Sequence, residues 1–320
     1  MRLRTRLTDL LEIDHPILLA PMAGVSGGAL ASAVTGAGGL GLIGGGYGDA
    51  GWLGREISAA GNARVGIGFI TWSLARQPGV LDVALAHAPP AIMLSFGDFR
   101  DFLPNIRQTR ARLIVQVQTL EQAREAVDAD ADIIVAQGTE AGGHGARRAT
   151  FPLVPSIVDI AGDIPVVAAG GIADGRGLAA ALMLGASGVL CGTAFYAADE
   201  ALAPESAKDA AVTGRGDATI RSSVFDVARA LDWPPAWDLR TLQNDFTRRW
   251  HGDPAGLNAV IADERARFEK ARAVGDVTTA PVIVGEAVDL VRTREPAGAI
   301  VARMVKEAVA RLRGASNLLV

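Results

Sequence analysis

The chain has 320 residues, 49% hydrophobic and 21% charged, with a formal net charge of −4. That balance excludes a disordered chain and gives no basic footprint for nucleic acid. Cys191 is the only cysteine, which excludes an intrachain disulfide and a cysteine-rich zinc site. Arg2, Arg4 and Arg6 are followed by Asp9, Glu12 and Asp14, which interrupt any signal-peptide pattern. No apolar run reaches membrane-spanning length without charge or glycine breaks. A cytoplasmic protein without a membrane partner is the expectation.

In chain order, Pro16 to Met22 is an apolar run ending in Ala23-Gly24, and Ser26 offers an N-cap for a helix through Thr35. Gly39 to Ile43, Arg64 to Ile70, Ala91 to Ser95 and Arg112 to Gln116 read as further strands. Helical stretches over Asp49–Ala60 and Ser73–Ala88 lie among them. Thr119-Leu120-Glu121-Gln122 has the pattern of a capping box before a helix to Ala129. Asp132 to Ala136 is the sixth strand, Ile164 to Ala169 the seventh and Ser187 to Cys191 the eighth. Asp174 can cap the helix between the last two. Strands that are apolar throughout imply a parallel sheet covered on both faces. Eight of them alternating with helices predict an α/β chain folded as a (β/α)8 TIM barrel, with a doubly wound sheet as the alternative.

After Ala198 the pattern changes. Thr213 to Arg221 reads as loop, Val224 to Leu231 as helix, and Trp233-Pro234-Pro235-Ala236-Trp237 breaks it before further polar helices. A small helical cap over residues 214–280, inserted after the eighth strand, is expected beside the barrel mouth. Residues 1–213 and 281–320 would then form the barrel. Ile300, Met304, Val305, Ala308 and Leu312 make one apolar stripe on a last helix returning to it.

The most informative stretch is Gln137-Gly138-Thr139-Glu140-Ala141-Gly142-Gly143-His144-Gly145, a glycine-rich loop at the carboxyl end of the sixth strand. In barrels the site lies at that face. Adjacent glycines let backbone amides approach a ligand, and imidazole is suited to proton transfer near neutral pH. Among four histidines only His144 has such a setting. The turns Ala169-Gly170-Gly171 and Gly192-Thr193 follow the last two strands, where backbone N–H groups can hold a phosphate. Gln116 ends the fifth strand, where a buried amide needs a partner, either a ligand or neighbouring backbone. Met22, at the exit of the first strand, can equally be core. No metal-ligand cluster or Walker phosphate loop is present.

The segments PILLAPMAGVSGG, AGGLGLIGGG, VAQGTEAGGHG, PVVAAGGIADGRGLAAALMLGASGVLCGTAF and TGR, spread over residues 16–215, resemble the nitronate monooxygenase (2-nitropropane dioxygenase-like) family. Flavin-dependent enoyl-acyl-carrier-protein reductases and related NAD(P)H:quinone reductases share nearly all of them. The resemblance implies an FMN-dependent TIM barrel. By position it implies that Ala20, Pro21 and Met22 line the flavin ring, with Gln116 at its pyrimidine side. Ala141, Gly142 and Gly143 would pass along the ring and ribityl chain, and Ala169, Gly170, Gly171, Gly192 and Thr193 would surround the phosphate. His144 would face the substrate as the catalytic residue. One departure is Gly66-Ile67-Gly68-Phe69, where the family often has a Gly-Val-Asn-like segment.

The implied reaction is oxidation of a small-molecule alkyl nitronate with molecular oxygen. The alternative is an FMN reductase using NAD(P)H as reductant on a quinone or enoyl thioester, with Arg215 and Arg221 as candidate partners of the nucleotide phosphate. A third reading is a barrel that binds flavin without turnover. A homodimer is compatible with each.

Overall fold

The computed structural model describes residues 2–318. In chain order its strands are β1 (Ile17–Leu19), β2 (Leu42–Gly44), β3 (Gly66–Ile70), β4 (Ala91–Ser95), β5 (Arg112–Val117) and β6 (Ile133–Gln137). Then come β7 (Gly143–Gly145), β8 (Val166–Ala169), β9 (Gly188–Cys191), β10 (Thr219–Ser222) and β11 (Asp238–Leu242). Eight of these form one parallel sheet in the order β1-β9-β8-β6-β5-β4-β3-β2. Leu18 bridges Leu40 in parallel just ahead of β2, which brings the two sheet edges together into a (β/α)8 barrel.

Side-chain alternation along the strands divides the apolar residues into two sets. Leu18, Leu42, Met93, Ile114, Val135 and Val167 pack together inside the barrel, where Leu7 and Leu11 join them. Both leucines come from the helix Arg6–Leu11, whose N-cap Thr5 and Thr8 form a reciprocal capping box. That helix plugs the amino end of the barrel. The other set, including Ile17, Leu19, Ile43, Ile67 and Ile134, packs outward against the helices. The final helix, Ala297–Gly314, buries Ile300, Met304, Val305 and Ala308, while Leu312 is half-buried. Where it crosses the helix Gly175–Met183, Glu307 accepts from the Gly175 amide at 2.9 Å.

Several local expectations need correction. Ser26 does not cap the helix Gly28–Gly36, whose N-cap is Gly27. Its hydroxyl accepts from the Met22 amide at 2.7 Å and ties the turn after β1 instead. Thr119 caps its helix, but Gln122 reaches the amide of Gln118 rather than that of Thr119, so the box is half made. Ser73–Ala88 is two helices, Thr71–Leu74 and Gly79–Ala86, parted near Pro78.

Beyond β9 the chain forms the helices Val224–Ala228, Asp245–Trp250, Pro254–Ala259 and Ile261–Val274. Phe225, Phe246, Trp250, Leu257 and Phe268 give this subdomain its own apolar core. Two strands join the helices. β10 lies in the stretch expected to be loop, and β11 pairs antiparallel with both β10 and β7. Since β7 is the histidine loop itself, the subdomain is hydrogen-bonded to the carboxyl face of the barrel.

Candidate active site at the barrel mouth

A cavity of about 1220 Å³, counted with its open mouth, sits at the carboxyl ends of the strands. Every residue expected at the flavin and at the substrate lines it. Ala20, Pro21 and Met22 enter from the exit of β1, and Gln116 from β5. Ala141, Gly142, Gly143 and His144 come from the loop after β6, Ala169, Gly170 and Gly171 from the end of β8, and Gly192 and Thr193 from the end of β9.

The glycines are there because other chain segments approach closely. A Cβ on Gly142 would lie 2.5 Å from the Val284 carbonyl carbon, where the returning chain crosses the loop. Gly170 and Gly171 have φ of 98° and 73°, a region that favours glycine. A Cβ on Gly192 would meet Met22 Sδ at 3.3 Å, so any larger group would enter the cavity. Among the described residues the amides of Gly171 and Gly192 donate to no carbonyl. The helix Gly175–Met183 is different: Asp174 Oδ1 already accepts from the amides of Arg176 and Gly177. Its first turn is therefore closed to an anion, leaving the glycine turns as the open cradle. Gly68 explains the sequence departure on β3, since a Cβ there would lie 2.3 Å from Pro21 Cγ.

Gln116 bonds to a side chain rather than to backbone. Its Nε2 donates to Gln137 Oε1 at 3.2 Å, and Gln118 Nε2 donates to the same oxygen at 2.8 Å. Gln137 Nε2 in turn donates to the His144 carbonyl at 3.1 Å. This amide chain runs from the wall of the cavity to the backbone of the histidine.

Arg221 is not free for a nucleotide phosphate. Its guanidinium donates to the carbonyls of Thr139, Ala141, Gly143, Gly145 and Asp238, at distances from 2.6 to 3.3 Å. Burial pushes it down to about 10, and Arg240 alongside acts in the same direction. It clamps the histidine loop. Arg215 is exposed on the outer surface.

His144 is buried, and its Nε2 lies 3.0 Å from Asp226 Oδ2. Burial lowers its pKa more than the Asp226 carboxylate raises it. The Trp233 ring stacks on the imidazole with centroids 3.4 Å apart and planes within 8°. Phe96 presents its edge to both Trp233 and Trp237, at 5.2 and 5.6 Å. It holds φ of 65°, an unusual conformation for a bulky residue, at the exit of β4. Arg229 also lines the cavity, its guanidinium 5.2 Å from the Tyr47 ring centroid. Sequence reasoning missed Asp226, Arg229, Phe96 and Gln137. For Asp226 a signal existed in Val224-Phe225-Asp226-Val227, a carboxylate set among apolar residues on a short helix. Cys191 is fully buried, its thiol pushed up to about 12, and it is not among the residues lining the cavity. No cluster of metal-ligating side chains occurs among the described residues, and no helix there is long and apolar enough to cross a membrane.

The model of the nitronate monooxygenase family matches residues 4–66 and 70–307. Nitronate monooxygenase npaC of Metarhizium robertsii is 36% identical, covering 89% of this chain and 88% of its own length. The nitronate monooxygenase of Neurospora crassa is 31% identical over 93% of this chain and 90% of its own. Among solved structures, nitroalkane oxidase from Streptomyces ansochromogenes superposes with a TM-score of 0.80 at 30% identity, covering 97% of this chain and 99% of that one. FabK from Thermotoga maritima gives a TM-score of 0.84 at 30% identity, covering 98% and 99%. With the barrel, its glycine-lined mouth and the histidine loop in place, the chain belongs to the nitronate monooxygenase family of flavin-dependent oxidoreductases.

Proposed function

We propose that the protein is an FMN-dependent nitronate monooxygenase that oxidises alkyl nitronates with molecular oxygen. The observation that carries this reading is the meeting, in one cavity, of the glycine turns after β8 and β9 with His144 and Arg229. The fit to FMN rests on those turns. The backbone at Gly170, Gly171 and Gly192 is open to a phosphate, and the apolar mouth beyond accepts a flat ring. Bound there, the flavin supplies the electron transfer, and the protein binds and orients the reactants.

His144, held neutral by burial, removes the acidic C–H proton when the substrate arrives as a neutral nitroalkane. Arg229, the one arginine or lysine among the lining residues, gives the anionic nitronate a cationic partner. Phe69, Ile70, Phe96 and Trp233 keep the alkyl portion in apolar surroundings. Residues 214–280 act as the cap that supplies Arg229 and Trp233 to this mouth. Gly68, where the family often has an amide, leaves that wall apolar and suits an alkyl substrate.

Reduction by NAD(P)H is the second reading, favoured by the full-length likeness to FabK. The commitment of Arg221 to five carbonyls argues against it, because the expected nucleotide contact is already used. Heat-released cofactor should run as FMN on chromatography, and oxygen uptake should follow addition of a primary alkyl nitronate. An adenine-containing flavin, no flavin, or no uptake would refute the proposal.

A further inference from the structure

Resting on the oxidoreductase reading above, we propose that Asp226 is the positioning residue of the base. It accepts a hydrogen bond from Nε2–H of His144, so that Nδ1 is the atom that receives the substrate proton. Nε2 lies 3.1 and 3.0 Å from the two Asp226 oxygens. A carboxylate only accepts, so the neutral imidazole facing it carries its hydrogen on Nε2 and its lone pair on Nδ1. Among the described residues the side-chain hydrogen bonds of His144 are made at Nε2, Nδ1 takes none, and the residue lines the cavity.

Asp226 has no other side-chain partner among the described residues, although both side chains are nearly inaccessible, at 6% and 5% exposed for His144 and Asp226. Burying a carboxylate is costly unless it is paired. A carboxylate placed there to meet one imidazole nitrogen therefore has the geometry of an orienting group. The ring is held from two further sides. Trp233 stacks on its face and anchors its own indole N–H on Tyr47 Oη at 3.0 Å. Gln137 holds the His144 carbonyl.

Two cationic groups face the ring besides Asp226: Arg229, just past the end of the helix Val224–Ala228, and Arg221 on β10. Both disfavour the protonated ring, and Asp226 is the one charge that favours it. In the proton transfer, the C–H bond next to the nitro group breaks and an N–H bond forms at Nδ1. The electron pair moves into the nitro group, giving the nitronate. The imidazolium so formed is stabilised through Nε2–H and Asp226, then returns its proton from Nδ1 to solvent.

Nitrogen NMR of histidine-labelled protein reads the tautomer directly, with or without substrate. The expected result at neutral pH is a protonated Nε2 and a bare Nδ1 on His144. In Asp226→Asn, flavin reduction by a neutral nitroalkane should fall about 10²-fold, within the usual range for a positioned base. Reduction by a pre-formed nitronate should change little. The acid limb of the nitroalkane profile should also move to lower pH, because the anion favouring imidazolium is gone. A wild-type His144 protonated on Nδ1 would overturn the proposal. So would equal losses on both substrates with an unmoved acid limb, which would mark Asp226 as merely structural. If no nitroalkane or nitronate reacts while the Nε2–H tautomer holds, the substrate reading fails and the orienting pair stands.

Discussion

At the scale of single residues, the proposed chemistry rests on His144 and the side chains that meet it in the cavity. His144→Ala should lower flavin reduction by a neutral nitroalkane by about 10²–10⁴-fold while FMN stays bound. Rapid mixing with the matching nitronate should show a smaller loss, since that proton is already gone. Full activity of the variant on both substrates would reduce the loop to a cradle. The pH dependence follows from burial, which holds the imidazole below its ordinary value of 6.5. The neutral base should thus persist into mildly acidic solution, with the acid limb of the nitroalkane rate below that value. The same shift acts on stability. The unfolded chain takes up this proton first as pH falls, so the contribution is present above 6.5 and is lost as pH drops through the folded value. Arg229→Met should raise KM for the nitronate about tenfold, equivalent to about 1.4 kcal/mol, with a smaller effect on a neutral nitroalkane. His144 was legible in the sequence because glycines flank it at the end of an apolar run. Asp226 was not, because the pair joins residues 82 positions apart and no local pattern encodes that meeting.

At the scale of elements, the glycine turns after β8 and β9 line one end of the cavity, and Arg221 clamps the histidine loop at the other. Gly192→Leu should release FMN, read as loss of flavin absorbance after gel filtration, because its side chain must project from a Cβ already 3.3 Å from Met22. Retention of a full flavin complement would show that the phosphate lies elsewhere. Arg221→Ala strands five carbonyls that share one guanidinium, and should cost about 2–4 kcal/mol in denaturant unfolding. A loss under 0.5 kcal/mol, about that of an ordinary surface change, would contradict the clamp. The barrel strands could be read from composition because each is buried on both faces and therefore apolar throughout. β7 and β11 could not. A Gly-His-Gly strand has no side-chain period, and Asp238-Leu239-Arg240-Thr241-Leu242 alternates too briefly amid charged helices to stand out.

Taken as a whole molecule, the barrel carries the glycine cradle while the subdomain contributes Asp226, Arg229 and Trp233. Loosening the subdomain should therefore separate binding from turnover. Phe225 is fully buried and stacks on Phe246 with centroids 5.3 Å apart, in the same short helix as Asp226. Phe225→Ala should cost about 3–5 kcal/mol of stability, keep FMN, and slow reduction by a nitroalkane more than by a nitronate. Loss of FMN in parallel with activity would mean that the two parts do not divide the work. The most direct measurement is anaerobic mixing of the flavin-loaded protein with a primary alkyl nitronate, with NADH and with NADPH, following the flavin absorbance. Rapid bleaching by the nitronate, with little or none by either nicotinamide, is the expected result. Bleaching by NADH or NADPH with none by the nitronate would contradict the account and assign the protein to the reductases.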